Sequence, residues 1–188
     1  RSPKKPPAYC AAASGHPSAK AYPLTGTPDG FVQNSRQVTV YDPKTKQFAF
    51  IDTCFGTHHL NFAEDADNTL WLSNNLRNDL AIVGWVNTKK FWETRDAGKS
   101  QGWTSLVVDT NGNGKRDAYV EPNQPEDPAK DKRIGLGFYA IAYNPVDGSI
   151  WGSNTGHPGY VLRLAPGSSP PETALTEVYK VPPPGYGM

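Results

Sequence analysis

The chain has 188 residues, a net charge of +1 and 37% hydrophobic residues, which fits one domain of ordinary size or two small ones. It carries neither a dominant basic face for nucleic acid nor an apolar run of about 18 residues for a membrane span. Eighteen Gly, 18 Pro, five Trp, nine Tyr and seven Phe against a single Met argue against a helical bundle and for an all-β chain of short strands between turns.

Residues 1–30 read as a Pro-rich basic arm. The opening RSPKKPPAY carries Arg1, Lys4 and Lys5 without an acid, and its prolines exclude a helix, so a solvated segment is expected. No apolar signal-peptide core is visible, and a start at Arg1 rather than Met reads as a processed or excised end. The two cysteines, Cys10 and Cys54, fit one disulfide and favour a secreted or periplasmic location. Neither lies in a CxxC or CxxCH frame, so a cysteine zinc site or covalent haem is not expected.

VTVYDPKTKQFAFIDT at 38–53 alternates apolar and polar residues around a Pro- and Lys-bearing turn, the pattern of a hairpin. THHLNFAEDADNTLWLSN at 57–74 follows, with two adjacent histidines at a strand start. Period-two alternation puts His58 with Leu60 and Phe62 on one side and His59 with Asn61 on the other, so the two rings are not expected to meet one ion. LAIVGWVNTKK at 80–90 reads as a strand, and GWVNTKKFWETRDAGKSQGW as a crossing loop with a helical turn. Trp92, Trp103 and Tyr160 are candidate loop aromatics for stacking a ligand.

SLVVDTNGNGKRDAYVEP at 105–122 reads as a second hairpin. Its turn, DTNGNGKRD at 109–117, spaces Asp109, Asn111, Asn113, the Lys115 carbonyl and Asp117 at alternate positions around Gly114. That pattern suits a hard cation such as Ca²⁺, which takes about six to eight oxygens. Position 12 is Val120 rather than Glu, and Lys115 and Arg116 lower the negative charge; a plain Asn-Gly turn is the competing reading. EPNQPEDPAKDKR at 121–133 reads as a surface insertion. His16 and His157 each sit in Gly-His-Pro, which suits a turn.

The segment FYAIAYNPVDGSIWGSN at 138–154 repeats HHLNFAEDADNTLWLSN at 58–74: both place an acid four residues before Trp-x-Ser-Asn, with Trp71 and Trp151 eighty residues apart. LRLAPGSSPPETALTEVYKVP at 162–182 supplies a third hairpin. Four short strands per unit is the make-up of a propeller blade, whose two apolar faces need neighbours on both sides. Residues 31–188 then divide into a blade end (31–56), a blade with the 121–133 insertion (57–136) and a further blade (137–184), with Trp71 and Trp151 packing between blades. Closure needs about four to eight blades, so the remaining blades are expected from the same or another chain.

These repeats resemble those of the streptogramin lyase (virginiamycin B lyase) type of β-propeller over roughly 37–184. The resemblance implies a histidine at the channel mouth, used in a lyase member with Mg²⁺ to eliminate across an ester linkage. His59 falls in that slot, and Tyr139 falls in the same slot of the next unit; the glycine that follows it in the family is Leu60 and Ala140 here. The leading expectation is an extracytoplasmic module that binds a small polar, glycan or peptide ligand through His59, Tyr139, Trp92, Trp103 and Tyr160. The alternatives are a divalent-metal-dependent lyase or hydrolase with His59 as catalytic base, and a structural propeller domain of a larger assembly.

Overall fold

A computed structural model describes residues 7–24, 36–74 and 81–183. The chain is predominantly antiparallel β-sheet with a few short helices. No helix among the described residues is long and apolar enough to cross a membrane.

Strands β1 (Gln37–Asp42) and β2 (Gln47–Asp52) form the hairpin expected at 38–53, closed by a turn in which the Asp42 carboxylate accepts from Lys44 N and Thr45 Oγ1. Strands β3 (Leu60–Phe62), β4 (Thr69–Ser73), β5 (Ile82–Asn87) and β6 (Gln101–Ser105) then run as a four-stranded antiparallel meander. Helix α2 (Thr88–Thr94), capped by Asn87 Oδ1 on Lys90 N, supplies the turn of helix between β5 and β6. A second meander of the same order follows: β10 (Ala140–Tyr143), β11 (Ile150–Ser153), β12 (Tyr160–Ala165) and β13 (Leu175–Lys180), with helix α3 (Pro170–Thr173) in the last connection.

Register explains how the layers stack. In the first meander, Asn61, Trp71, Trp85 and Gly102 lie in one row, and Leu60, Leu72, Gly84 and Trp103 in the next. Successive rows face opposite ways. The Leu72–Trp103 side packs against Val38, Val40 and Ile51 of the hairpin and against Phe55. The Trp71 side packs against Ile141, Ile150, Leu162 and Leu164 of the second meander. Asn61 Oδ1 also accepts from Tyr143 N at 3.0 Å, tying the first strands of the two meanders together. The hairpin and the two meanders thus form three successive layers, with the first meander in the middle presenting one face to the hairpin and the other to the second meander.

Glycine sets the layer spacing at two points. A Cβ at Gly84 would stand 2.2 Å from the Phe55 ring, and one at Gly152 would stand 2.1 Å from the Ala140 carbonyl oxygen.

Three expectations are corrected. Residues 105–122 do not form a hairpin. β7 (Val107–Val108) pairs antiparallel with β9 (Asp131–Arg133), and β8 (Tyr119–Val120) pairs parallel with that same strand, giving the order β7-β9-β8. The end of the supposed surface insertion is therefore the central strand of a small sheet. Second, the described part of the N-terminal segment is not a solvated arm. The Cys10–Cys54 disulfide joins it to the body, with a Cα–Cα distance of 5.3 Å. Helix α1 (Pro17–Ala21) lies on β6, where Ser18 Oγ accepts from Trp103 N at 2.9 Å. Residues 1–6 and 25–30 of the arm lie outside the described residues. Third, the histidine doublet precedes the strand, which begins only at Leu60.

Candidate functional site: the ring cluster between the two meanders

The repeated Trp-x-Ser-Asn has a local purpose. Ser73 takes the residues that lead into β3: His58 N donates to Ser73 O at 3.2 Å, His59 N to Ser73 Oγ at 3.0 Å, and Ser73 N to His59 O at 2.9 Å. Ser153 does the same for the second meander, accepting from Tyr139 N at 2.7 Å. The asparagines brace backbone at the same end: Asn74 Oδ1 accepts from Gly56 N, ahead of β3, at 2.8 Å, and Asn154 Oδ1 from Tyr160 N, at the start of β12, at 2.7 Å. Each unit therefore delivers the side chains just ahead of its first strand to the same end of the stack.

Three rings meet there. His58 and His59 lie 4.4 Å apart, centroid to centroid, edge to face; His59 and Tyr139 are 4.6 Å apart, and His58 and Tyr139 5.3 Å. The expectation that the imidazoles diverge is overturned because neither residue belongs to a regular strand. Although alternation grouped His58 with Leu60 and Phe62, both histidines are exposed, and Tyr139 is 38% exposed. Partial desolvation, then the neighbouring His59, lower the His58 pKa. Ser153 Oγ is buried beside Tyr139 without a hydrogen-bond partner. The cluster offers two exchangeable imidazoles, a phenol and two exposed ring edges, which suits hydrogen bonding and stacking with a polar ligand.

The other expected ligand residues lie elsewhere. Tyr160 starts β12 at the same end of the second meander, half-buried two strands out from Tyr139. Trp92, on α2, is half-buried beneath the Arg95 guanidinium, 4.1 Å above its ring, and lines a groove between the hairpin and β3. Trp103 has no exposed face. It is wholly buried on β6, donates from Nε1 to Tyr22 O at 2.7 Å and stacks on His16 at 4.9 Å. His16 caps α1 through Nδ1, as its Gly-His-Pro context suggests.

The 109–117 loop stands apart, on the small sheet. Asp109 accepts from Gly112 N and Gly114 N, both at 2.7 Å, and both glycines adopt positive φ. Asn111 and Asn113 turn their amides onto Asp117 Oδ2, at 3.0 and 2.6 Å. Asp117 N in turn donates to Asp131 Oδ2 at 2.7 Å. Asp131 was not anticipated, because only the parallel pairing of β8 with β9 brings it to the loop. Among the described residues, no group of three or more His, Cys, Asp or Glu side chains is converged for a metal ion.

No family model matches the chain, and no curated protein matches it.

Proposed function

We propose that the chain contributes successive blades to a propeller-type ring of sheets, and that the His58–His59–Tyr139 cluster binds a small polar ligand, a glycan or peptide segment, at its mouth. The observation that carries this reading is the meeting of exposed rings from two consecutive meanders, with His59 and Tyr139 4.6 Å apart. A site assembled from equivalent positions of successive repeats suits a central channel, where each blade lends one side chain. The resemblance to streptogramin-lyase-type repeats over roughly 37–184 supports the same arrangement. The Cys10–Cys54 disulfide fits a secreted or periplasmic setting.

The outermost layers favour further sheets on both sides. On the hairpin, Tyr41, Phe48 and Phe50 are 49%, 68% and 62% exposed. On the second meander, Trp151, Arg163 and Tyr179 face away from the first. Blades from the same or another chain would cover both.

The competing reading is a Mg²⁺-dependent lyase with His59 as base. The exposure of His59, with the His58 ring 4.4 Å away, supports it; an acidic partner for the pair would have to come from other blades.

Arrays of immobilised glycans and peptides, probed with the purified chain, test the binding reading. At least one ligand class should bind, and Tyr139→Ala and His59→Ala should each weaken it about tenfold or more with unchanged melting temperature. Retention unaffected by both substitutions, or no retention on either array, would leave the structural-domain reading. Mg²⁺-dependent elimination of an ester-linked peptide, lost in His59→Ala, would favour the lyase.

A further inference from the structure

We propose that the 109–117 loop and Asp131 together form a structural Ca²⁺ site, with the Asp131 carboxylate standing in for the acid that the loop lacks at its twelfth position.

The loop's own sequence leaves it short. Val120 occupies the twelfth place, and Glu121 is engaged elsewhere, accepting from Arg133 Nε at 2.8 Å and Nη2 at 2.7 Å. Asp131 fills the gap from across the small sheet. It is wholly buried, its Oδ2 receives Asp117 N, and its Oδ1 has no hydrogen-bond partner. An isolated carboxylate oxygen in a buried setting is costly unless paired or bound to a cation. Burial pushes the Asp131 carboxyl up first, and the neighbouring Asp109 and Asp117 push it further, against hydrogen bonding from the Asp117 and Thr110 backbone.

The cation that a protein would ordinarily offer is occupied. The Arg116 guanidinium lies within electrostatic reach of Asp131 but donates to Thr104 Oγ1, Ser105 O, Ser105 Oγ and Ala174 O. It acts as a clamp between β6 and the residue before β13.

The three carboxylates alone are not a converged metal set; amide and carbonyl oxygens complete it. Asn111 and Asn113 already converge on Asp117, with their amide nitrogens in place of oxygens. Rotation of each amide by half a turn would present oxygen instead, giving up the hydrogen bonds that Asn111 Oδ1 now accepts from Asn113 N and Asn113 Oδ1 from Lys115 N; the ion would replace them. With the Lys115 carbonyl, Asp109, Asp117 and Asp131, the site offers six oxygens and neither imidazole nor thiolate. That donor set is hard, and its count and loop flexibility suit Ca²⁺ better than the smaller Mg²⁺, which retains its water. A bound ion would pin the loop to β9, and so hold the 121–130 excursion closed. This site is independent of the ligand reading at the mouth.

Ca²⁺ titration of the purified chain tests the proposal, followed by melting temperature and by amide NMR. Millimolar Ca²⁺ should raise the melting temperature and shift the amides of 109–117 and of Asp131 together. Asp109→Ala and Asp131→Asn should each weaken the apparent affinity about tenfold or more, whereas Glu121→Gln should retain it. No response of the native chain overturns the site. A response lost in Asp109→Ala but retained in Asp131→Asn overturns the role of Asp131. Should Asp131→Asn fail to fold, the native spectra decide: shifts confined to 109–117, with Asp131 unmoved, overturn that role equally.

Discussion

Trp71 and Trp151 hold matching places in the two meanders, yet Trp71 is 6% exposed beneath the second meander while Trp151 lies half-buried on the outward face, stacked on Tyr179 at 6.0 Å. The chemistry of the two positions is the same; what differs is that, among the described residues, a further sheet covers only Trp71. Truncation should therefore have unequal effects. Trp71→Ala, which opens a cavity between layers, should cost about 3–5 kcal/mol. Trp151→Ala should cost about 1 kcal/mol or less, because it loses a ring contact on an accessible face. Urea unfolding of both variants measures the difference, and equal losses would show that the layers do not stack through Trp71.

Gly152 is tested by the smallest possible change. Its Cβ would meet backbone, the Ala140 carbonyl oxygen at 2.1 Å, as well as the Phe138 ring at 2.5 Å. Relief requires moving β10, which Tyr139 immediately precedes. Gly152→Ala should destabilise by roughly 1–3 kcal/mol and should also shift the Tyr139 ring resonances. A variant as stable as the native chain would contradict the close pairing of β10 with β11.

The disulfide spans a sequence separation of 44. Constraint of the unfolded chain by a loop of that size amounts to about 4 kcal/mol at 25 °C in the chain-entropy account. Replacing both cysteines with serine should lower the denaturation midpoint accordingly. It should also expose the segment around α1 to hydrogen exchange, because the ties that remain are non-covalent: Trp103 to Ser18 and Tyr22, Gln101 to His16 and Tyr9, and Tyr9 to Asp52. Unchanged exchange there would mean that the docked face, rather than the cross-link, fixes the segment.

His58 should titrate below the ordinary imidazole value of 6.5 because partial desolvation and then His59 disfavour its charged form. His59→Ala removes the second cause, so the midpoint should move upward. The linkage has a definite sign. The folded state binds this proton less readily than the unfolded state, so its contribution is present above the unfolded pKa and is lost as pH falls through the depressed folded value. An NMR titration of the His58 ring protons reads the midpoint directly; no upward movement in His59→Ala would show that the rings do not sense each other.

The repeat was legible because burial imposes it: the Trp-x-Ser-Asn segments recur where each sheet needs a packing residue and a tie for its first strand. Long-range register was not legible. The turn at 109–117 looks like the tip of a hairpin until β9 is seen to pair with both β7 and β8, and nothing local links Asp131 to Asp117. Trp103 reads as a loop aromatic because its partner, the N-terminal segment, lies some eighty residues away. The histidine doublet was misjudged by extending strand alternation two residues too far.

The two meanders meet most directly at the His58–His59–Tyr139 cluster. A NOESY spectrum of the chain with assigned His58, His59 and Tyr139 ring protons tests it. Cross-peaks should link Tyr139 to both imidazoles, as centroid separations of 4.6 and 5.3 Å require. Their absence, with the Trp71–Trp85 contact still present, would mean that each meander folds but that the two do not stack in the manner described.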